Sequence, residues 1–432
     1  MLKNLNPKSY LSTFFMFSVY LVLINIYITS LGLMDDFNYT RMNFFRNTPT
    51  YFEFIRSDIE SGGFRPFLPF QITLNNIGYY LFSVKGYFIF NLVYLFFILE
   101  FFYFMMSKFF YFDKFLYYLI IFSWPYSSDL IIHPSLQEKF IVLLICTFIY
   151  SYKNKKPLTS RLTILFIPLI KIQSLIFLPF ITSVLKRDKN LKIYVSYFLF
   201  SSSLVLFVFF NKSESYFNSQ LEFNTIINQI FTSPVNVVNI FLIITAFYIV
   251  KINDLVNKDA FYGLGLSNLF LIIFMSIYRN VGNYLNSINI FFIVIYILII
   301  YDHLFKILKS KHLKKLVKFC QILIFTFVII SFTIPRFERM SSIGSVMNYS
   351  EENNIEIFYS CLEGVQYLNQ FQNNNEFIYV NEFENIVGKE IKFLSDPFAC
   401  NSIENVIIQN CKKTDTIDFK FENSMKIIEY QC

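Results

Sequence analysis

Residues 162–184 read Leu-Thr-Ile-Leu-Phe-Ile-Pro-Leu-Ile-Lys-Ile-Gln-Ser-Leu-Ile-Phe-Leu-Pro-Phe-Ile-Thr-Ser-Val. The run is apolar, yet Pro168, Lys171, Gln173 and Pro179 interrupt it, and basic clusters bound it on both sides. A lysine in hydrocarbon costs about 2.5–3.5 kcal/mol on insertion scales, so Lys171 needs an anionic partner, either a carboxylate or a lipid phosphate. The stretch reads as a hairpin of two short helices that enters and leaves the membrane on one side. That reading sets the topology of the rest of the chain.

Composition marks the chain as a multi-spanning membrane protein. Of its 432 residues 55% are hydrophobic and 16% charged, and 58 Phe, 30 Tyr and one Trp make it 21% aromatic. A soluble fold could not cover that apolar surface with so few charges. Secreted disulfide scaffolds, disordered regulators and soluble nucleic-acid binders are thereby excluded. A membrane helix needs about 20 apolar residues. The first span runs from Tyr10 to Leu33, too long for a signal-peptide core. Others are expected near 86–106, 115–131, 139–150, 192–210, 236–250, 260–278, 282–301 and 316–335. With the hairpin, the expected fold is an all-α polytopic membrane protein of about 11 membrane helices.

Lysine and arginine positions test that topology. With the N-terminus cytoplasmic, the segments expected to face inward hold 20 of the 37 basic residues. The short outward loops beyond 34–70 hold only Lys85, Lys139, Lys212 and Arg279. The positive-inside rule holds throughout only if 162–184 returns to its own side. Residues 1–335 are thus a transmembrane domain with a long outward loop at 34–85. Residues 336–432 form a polar tail, read as a small α+β C-terminal extracytoplasmic domain with strands at 376–380 and 405–408 and a helix at 351–371. The tail holds Cys361, Cys400, Cys411 and Cys432, disulfide candidates in an oxidising compartment with three pairings open. Zinc is the rival reading, although neither a CxxC pair nor a neighbouring histidine supports it.

Chemistry-bearing residues gather toward the outward face. Met34-Asp35-Asp36-Phe37 follows the first span. A partly desolvated carboxylate there can act as a base, orient a hydroxyl or bind a divalent metal, or simply end a span in water. Gly62-Gly63-Phe64-Arg65-Pro66 leads into an amphipathic stretch, 66–83, which suits an interfacial helix with Arg65 at headgroup level, gripping a lipid-linked phosphate or snorkelling. A further outward loop runs from Trp124 through Asp129 and His133 to Glu138. For His133 and Glu138 a role in loop structure competes with a role in binding. Arg279 ends an outward helix. No Walker loop, HExxH, GxSxG or Rossmann pattern is present.

This order of features resembles the GT-C superfamily of integral-membrane glycosyltransferases, which use polyprenyl-phosphate sugars. The resemblance rests on Asp35-Asp36 after the first helix, on Arg65-Pro66 before an interfacial segment, on the lysine-bearing hairpin and on Arg279. It covers the architecture of residues 1–335. It implies an inverting transferase of the bacterial inner membrane, working on the outer face and moving a sugar to a cell-envelope glycan or lipid acceptor. In that role Asp36, or Asp35, activates the acceptor hydroxyl, and Arg279, Lys171 and Arg65 neutralise the departing phosphate. His133 and Glu138 join the substrate-binding set, with Asp129 or Glu138 available as a second acid. Implied partners are the polyprenyl-phosphate-linked sugar, the acceptor and membrane lipids, with no nucleic acid; a divalent metal stays open. The alternative is an O-antigen or capsular polysaccharide repeat-unit polymerase, which resembles the chain in its spans and outward basic loops. A lipid-linked sugar flippase fits less well, because the ionisable residues cluster at one face.

Overall fold

The computed structural model describes residues 7–28, 51–60, 64–107, 113–134, 136–186, 188–212, 230, 233–253, 258–277, 286–308, 310–353, 357–360, 376–380, 388–395, 401–418 and 425–432. Among them, five helices are long and apolar enough to cross a membrane by length and composition. Shorter apolar helices accompany them, including both arms of the stretch at 157–185. Of the expected span 115–131, the one helix of useful length, Lys114–Phe122, stops at Phe122. Pro125 lacks an N–H and Trp124–Ser128 turn instead, so that expectation is corrected to a short helix and an irregular loop.

The chain begins with α1 (Pro7–Tyr27), α2 (Tyr51–Glu60) and the long α3 (Leu68–Met106). At 1.5 Å per residue a straight α3 would exceed about 55 Å, nearly twice a bilayer core. It bends back instead at Phe82 (φ −140°, ψ 21°) and Ser83 (φ 59°, ψ −152°). Tyr94 Oη donates to Asn75 Oδ1 at 2.8 Å, which only antiparallel arms allow across 19 residues. The arms touch at two glycines: a Cβ on Gly78 would collide with the Gly86 carbonyl, and one on Gly86 with the Gly78 carbonyl. We expect Gly86→Val to cost about 1–3 kcal/mol through overpacking, read as a lower melting temperature in detergent, whereas Ser83→Gly should be neutral or stabilising.

Next come α4 (Lys114–Phe122), α5 (Asp129–Ile132), α6 (Glu138–Lys153), α7 (Pro157–Ile170), a 3-10 turn (Ile172–Phe177) and α8 (Leu178–Leu185). The helix breaks at Lys171, whose backbone is fully extended (φ −166°, ψ 148°). From there the chain returns to the end it came from. Ser160 Oγ, near the start of α7, lies 3.0 Å from Tyr194 Oη, near the start of α9 (Leu191–Lys212). The ring of Tyr152, at the end of α6, packs edge-on against the same tyrosine.

The remaining helices are α10 (Pro234–Asn253), α11 (Lys258–Ile277), α12 (Asn286–Ile307), α13 (Lys311–Val328) and α14 (Ile334–Glu352). A π-turn at Ile329–Thr333 joins the last two. Buried aromatics such as Tyr20, Phe88, Phe122 and Phe292 fill the core between helices. Ion pairs mark one end of the bundle as lysine-rich: Lys114 with Glu100 at 2.5 Å, Lys318 with Asp113 at 2.6 Å and Lys186 with Asp259 at 2.9 Å. Asp113 caps α4 by accepting from Phe115 N. Burial pushes its carboxyl up, but Lys318 and the backbone N–H bonds outweigh it and hold the group below its ordinary range.

The tail is a mixed five-stranded sheet with β1 (Ile357–Ser360), β2 (Glu376–Tyr379), β3 (Glu390–Ser395), β4 (Lys412–Asp418) and β5 (Lys426–Gln431) in the order β2-β1-β3-β5-β4. β1 runs parallel to β2 and β3, and the other pairs are antiparallel. α15 (Asn401–Asn410) supplies Ile407 to a core of Val380, Ile391, Phe393, Ile428 and Tyr430. Two expectations are corrected here. Asn405–Ile408 is helical, since a four-residue apolar run carries no period of its own. Ile357–Ser360, expected in a helix, is a strand, in keeping with its branched and aromatic side chains. Cys411 and Cys432 form a disulfide, while Cys361 and Cys400 lie outside the described residues.

Candidate functional site

At the end of the bundle opposite the lysine-rich one, the turns and short helix of residues 123–134, with 136–137, are packed among helices. Buried carbonyls cannot stay bare in an apolar surrounding, and polar side chains meet them one by one. Asn91 Nδ2, from α3, donates to Leu130 O at 3.0 Å and Ile131 O at 2.9 Å. Gln71 Nε2 donates to Pro134 O at 2.8 Å and Leu136 O at 3.2 Å, and Asn75 Nδ2 reaches Pro134 O at 3.2 Å. Arg336, just after the π-turn, donates to Pro125 O at 2.9 Å and Asp129 Oδ1 at 2.8 Å, with its guanidinium over the Tyr126 ring. The loop is therefore a rigid part of the bundle.

That loop delivers two adjacent charges to the start of α6. Glu138 and Lys139 are both 0% exposed. Lys139 Nζ donates to Asn91 Oδ1 at 2.5 Å and Pro134 O at 2.9 Å and lies 4.9 Å from the centre of the Tyr94 ring. Glu138 Oε1 accepts from Lys171 Nζ at 2.6 Å. Lys171 is thus partnered by a carboxylate of the protein itself. The break at Lys171 swings its side chain onto the first turn of α6, because α7 runs antiparallel to α6 and ends level with that turn.

Nearby, Arg65 is clamped by Asp58 through its backbone N at 2.8 Å and its Nε at 3.0 Å. Asp58 is buried at the end of α2, and this pair closes the connection between α2 and α3. His133 caps α5, its backbone N–H donating to Asp129 O at 3.1 Å. The structure thus joins Glu138 directly to Lys171 and places His133 in the loop that carries Glu138. Asp35, Asp36 and Arg279 lie outside the described residues. Among the described residues no three His, Cys, Asp or Glu side chains gather as a metal site would require.

Sequence reasoning missed several members of this site. Lys139 enters the sequence reading only as an outward-loop charge, and Gln71, Asn75 and Asn91 do not enter it. Their signal was their presence on one long hydrophobic helix, where an amide needs a partner. Arg336 had its own signal, a cation directly after Pro335 at the end of the last span.

Compared with protein-family models, with curated proteins and with solved structures, the chain matches none.

Proposed function

We propose that the chain is an integral-membrane glycosyltransferase that takes a sugar from a polyprenyl-phosphate donor and passes it to a cell-envelope glycan or lipid. The observation that carries this reading is the buried Glu138–Lys171 pair, held beside Lys139 by irregular backbone inside a helical bundle. Membrane proteins tolerate ionisable groups and non-helical backbone at such positions chiefly where a substrate is handled.

In this reading the lysine-rich end faces the cytoplasm and the loop end faces outward, with about eleven helices entering or crossing the bacterial inner membrane. The C-terminal sheet domain then lies in the periplasm, where the Cys411–Cys432 disulfide is at home. Glycosyl transfer from a phosphate needs a base on the incoming hydroxyl and positive charge on the departing phosphate. Asp36, with Asp35 beside it, is the proposed base. Lys171, fixed in place by Glu138, and Arg65, fixed by Asp58, supply positive charge together with Arg279. Direct attack inverts the anomeric carbon. Any divalent metal would draw on Asp35 and Asp36.

A deletion strain tests the reading through its surface-polysaccharide ladder and sugar composition. We expect ladders of normal length that lack one sugar, restored by the wild-type gene. Collapse to a single repeat unit on the lipid core would identify a polymerase instead, and an unchanged profile would point to transport or to another acceptor.

A further inference from the structure

Four buried oxygens on two chain segments lack a hydrogen-bond partner. They are Oε1 of Gln137 and Oε2 of Glu138 at the start of α6, and Oε1 of Gln173 and Oγ of Ser174 in the 3-10 turn. The Glu138–Lys171 ion pair joins these segments. All four side chains are at most 7% exposed, and no partner for these atoms exists among the described residues. Other unpartnered polar atoms occur in the bundle, but these four lie within three residues of one buried ion pair, and together they call for something that supplies donors.

The chemistry of the set narrows what that is. Three of the atoms accept only, and the fourth is a hydroxyl that accepts or donates. Such oxygens repel an anion. A metal ion would compete with the Lys171 ammonium already seated on the same carboxylate. A neutral group presenting several O–H donors fits. Lys171, with 17% of its side chain exposed, is the partly accessible member of the group.

We propose that Gln137, Glu138, Gln173 and Ser174 form a subsite that reads the hydroxyls of a sugar ring, with Lys171 beside it. This rests on the glycosyl-transfer reading and extends it by assigning the side chains that meet the sugar. The sugar is either that of the donor lipid or that of the acceptor glycan. In both cases the unpartnered oxygens accept its O–H groups.

The test uses the full-length protein in lipid nanodiscs. Its probes are undecaprenyl phosphate, the same lipid carrying glucose, galactose or N-acetylglucosamine, and soluble oligosaccharides of these sugars. The variants are Gln173→Leu, close in size and suited to a buried position, and Ser174→Ala, with melting temperatures confirming the fold. We expect the wild type to bind at least one glycosylated lipid about tenfold more tightly than the bare lipid, the margin of one or two well-made hydrogen bonds. Each variant should erase most of that margin and leave bare-lipid affinity unchanged. A loss confined to soluble oligosaccharides would assign the subsite to the acceptor. A margin unchanged in both variants, or a wild type that prefers no sugar in either form, overturns the proposal and leaves the four oxygens to ordered water. A wild type that ignores the bare lipid, while oligosaccharide binding still falls in Gln173→Leu, contradicts the donor reading and keeps the subsite.

Discussion

Lys171→Met should destabilise the protein by about 3 kcal/mol, because it leaves the Glu138 carboxylate buried without its counter-charge. The geometry is unforgiving: Glu138 is fully buried and Lys171 Nζ sits 2.6 Å from its Oε1. A buried pair adds little net stability over an apolar replacement, but removing one partner is costly. Glu138→Gln alone should therefore also destabilise, since it takes the anionic partner seen here from the ammonium. The double variant Lys171→Met/Glu138→Gln should recover most of the loss. A double-mutant cycle of melting temperatures in detergent checks this, and strict additivity of the two losses would show that the pair does not couple.

Asn91→Leu should be as damaging without touching a charge. Its amide donates to the Leu130 and Ile131 carbonyls and its Oδ1 accepts from Lys139. Leucine fits the volume but strands two carbonyls and removes one of the acceptors that hold a fully buried ammonium. Each orphaned neutral group costs about 1–3 kcal/mol, more where a charge is involved, so a loss on the order of 4 kcal/mol is expected. The protein should fold poorly or melt many degrees lower. Asn91→Asp separates the two roles: it keeps an acceptor for Lys139, loses both donations, and should fall between wild type and Asn91→Leu. A wild-type melting temperature for Asn91→Leu would mean that the loop does not depend on this anchor.

The break within 162–184 was legible because Pro168, Lys171 and Pro179 interrupt a run that is otherwise long enough to span. What lay beyond reading was the partner of Lys171, since Glu138 is 33 residues away and only the antiparallel packing of α6 and α7 brings them together. The break between an interfacial stretch and a span near residue 83 was visible in polarity. The sharp fold-back was not, because serine seldom takes the positive φ found at Ser83, and the signal lay in Gly78 and Gly86. In the tail, short apolar runs such as Asn405–Ile408 fit helix and strand equally well, and the surrounding sheet decided between them. The residues that anchor the loop were hidden for a different reason. A buried amide is recognised by the carbonyl it satisfies, and that carbonyl belongs to a distant segment.

The most direct measurement is sugar transfer by the purified full-length protein in nanodiscs. Radiolabelled polyprenyl-phosphate sugars would be supplied as donors, with membrane glycolipids of the host as acceptors, comparing wild type with Asp36→Asn. The account predicts a labelled acceptor with inverted anomeric configuration, and a rate about 10²–10⁴-fold lower in Asp36→Asn, the range expected for loss of a general base. Label that stays on the donor lipid with every sugar tested, or transfer at an undiminished rate in Asp36→Asn, would contradict it.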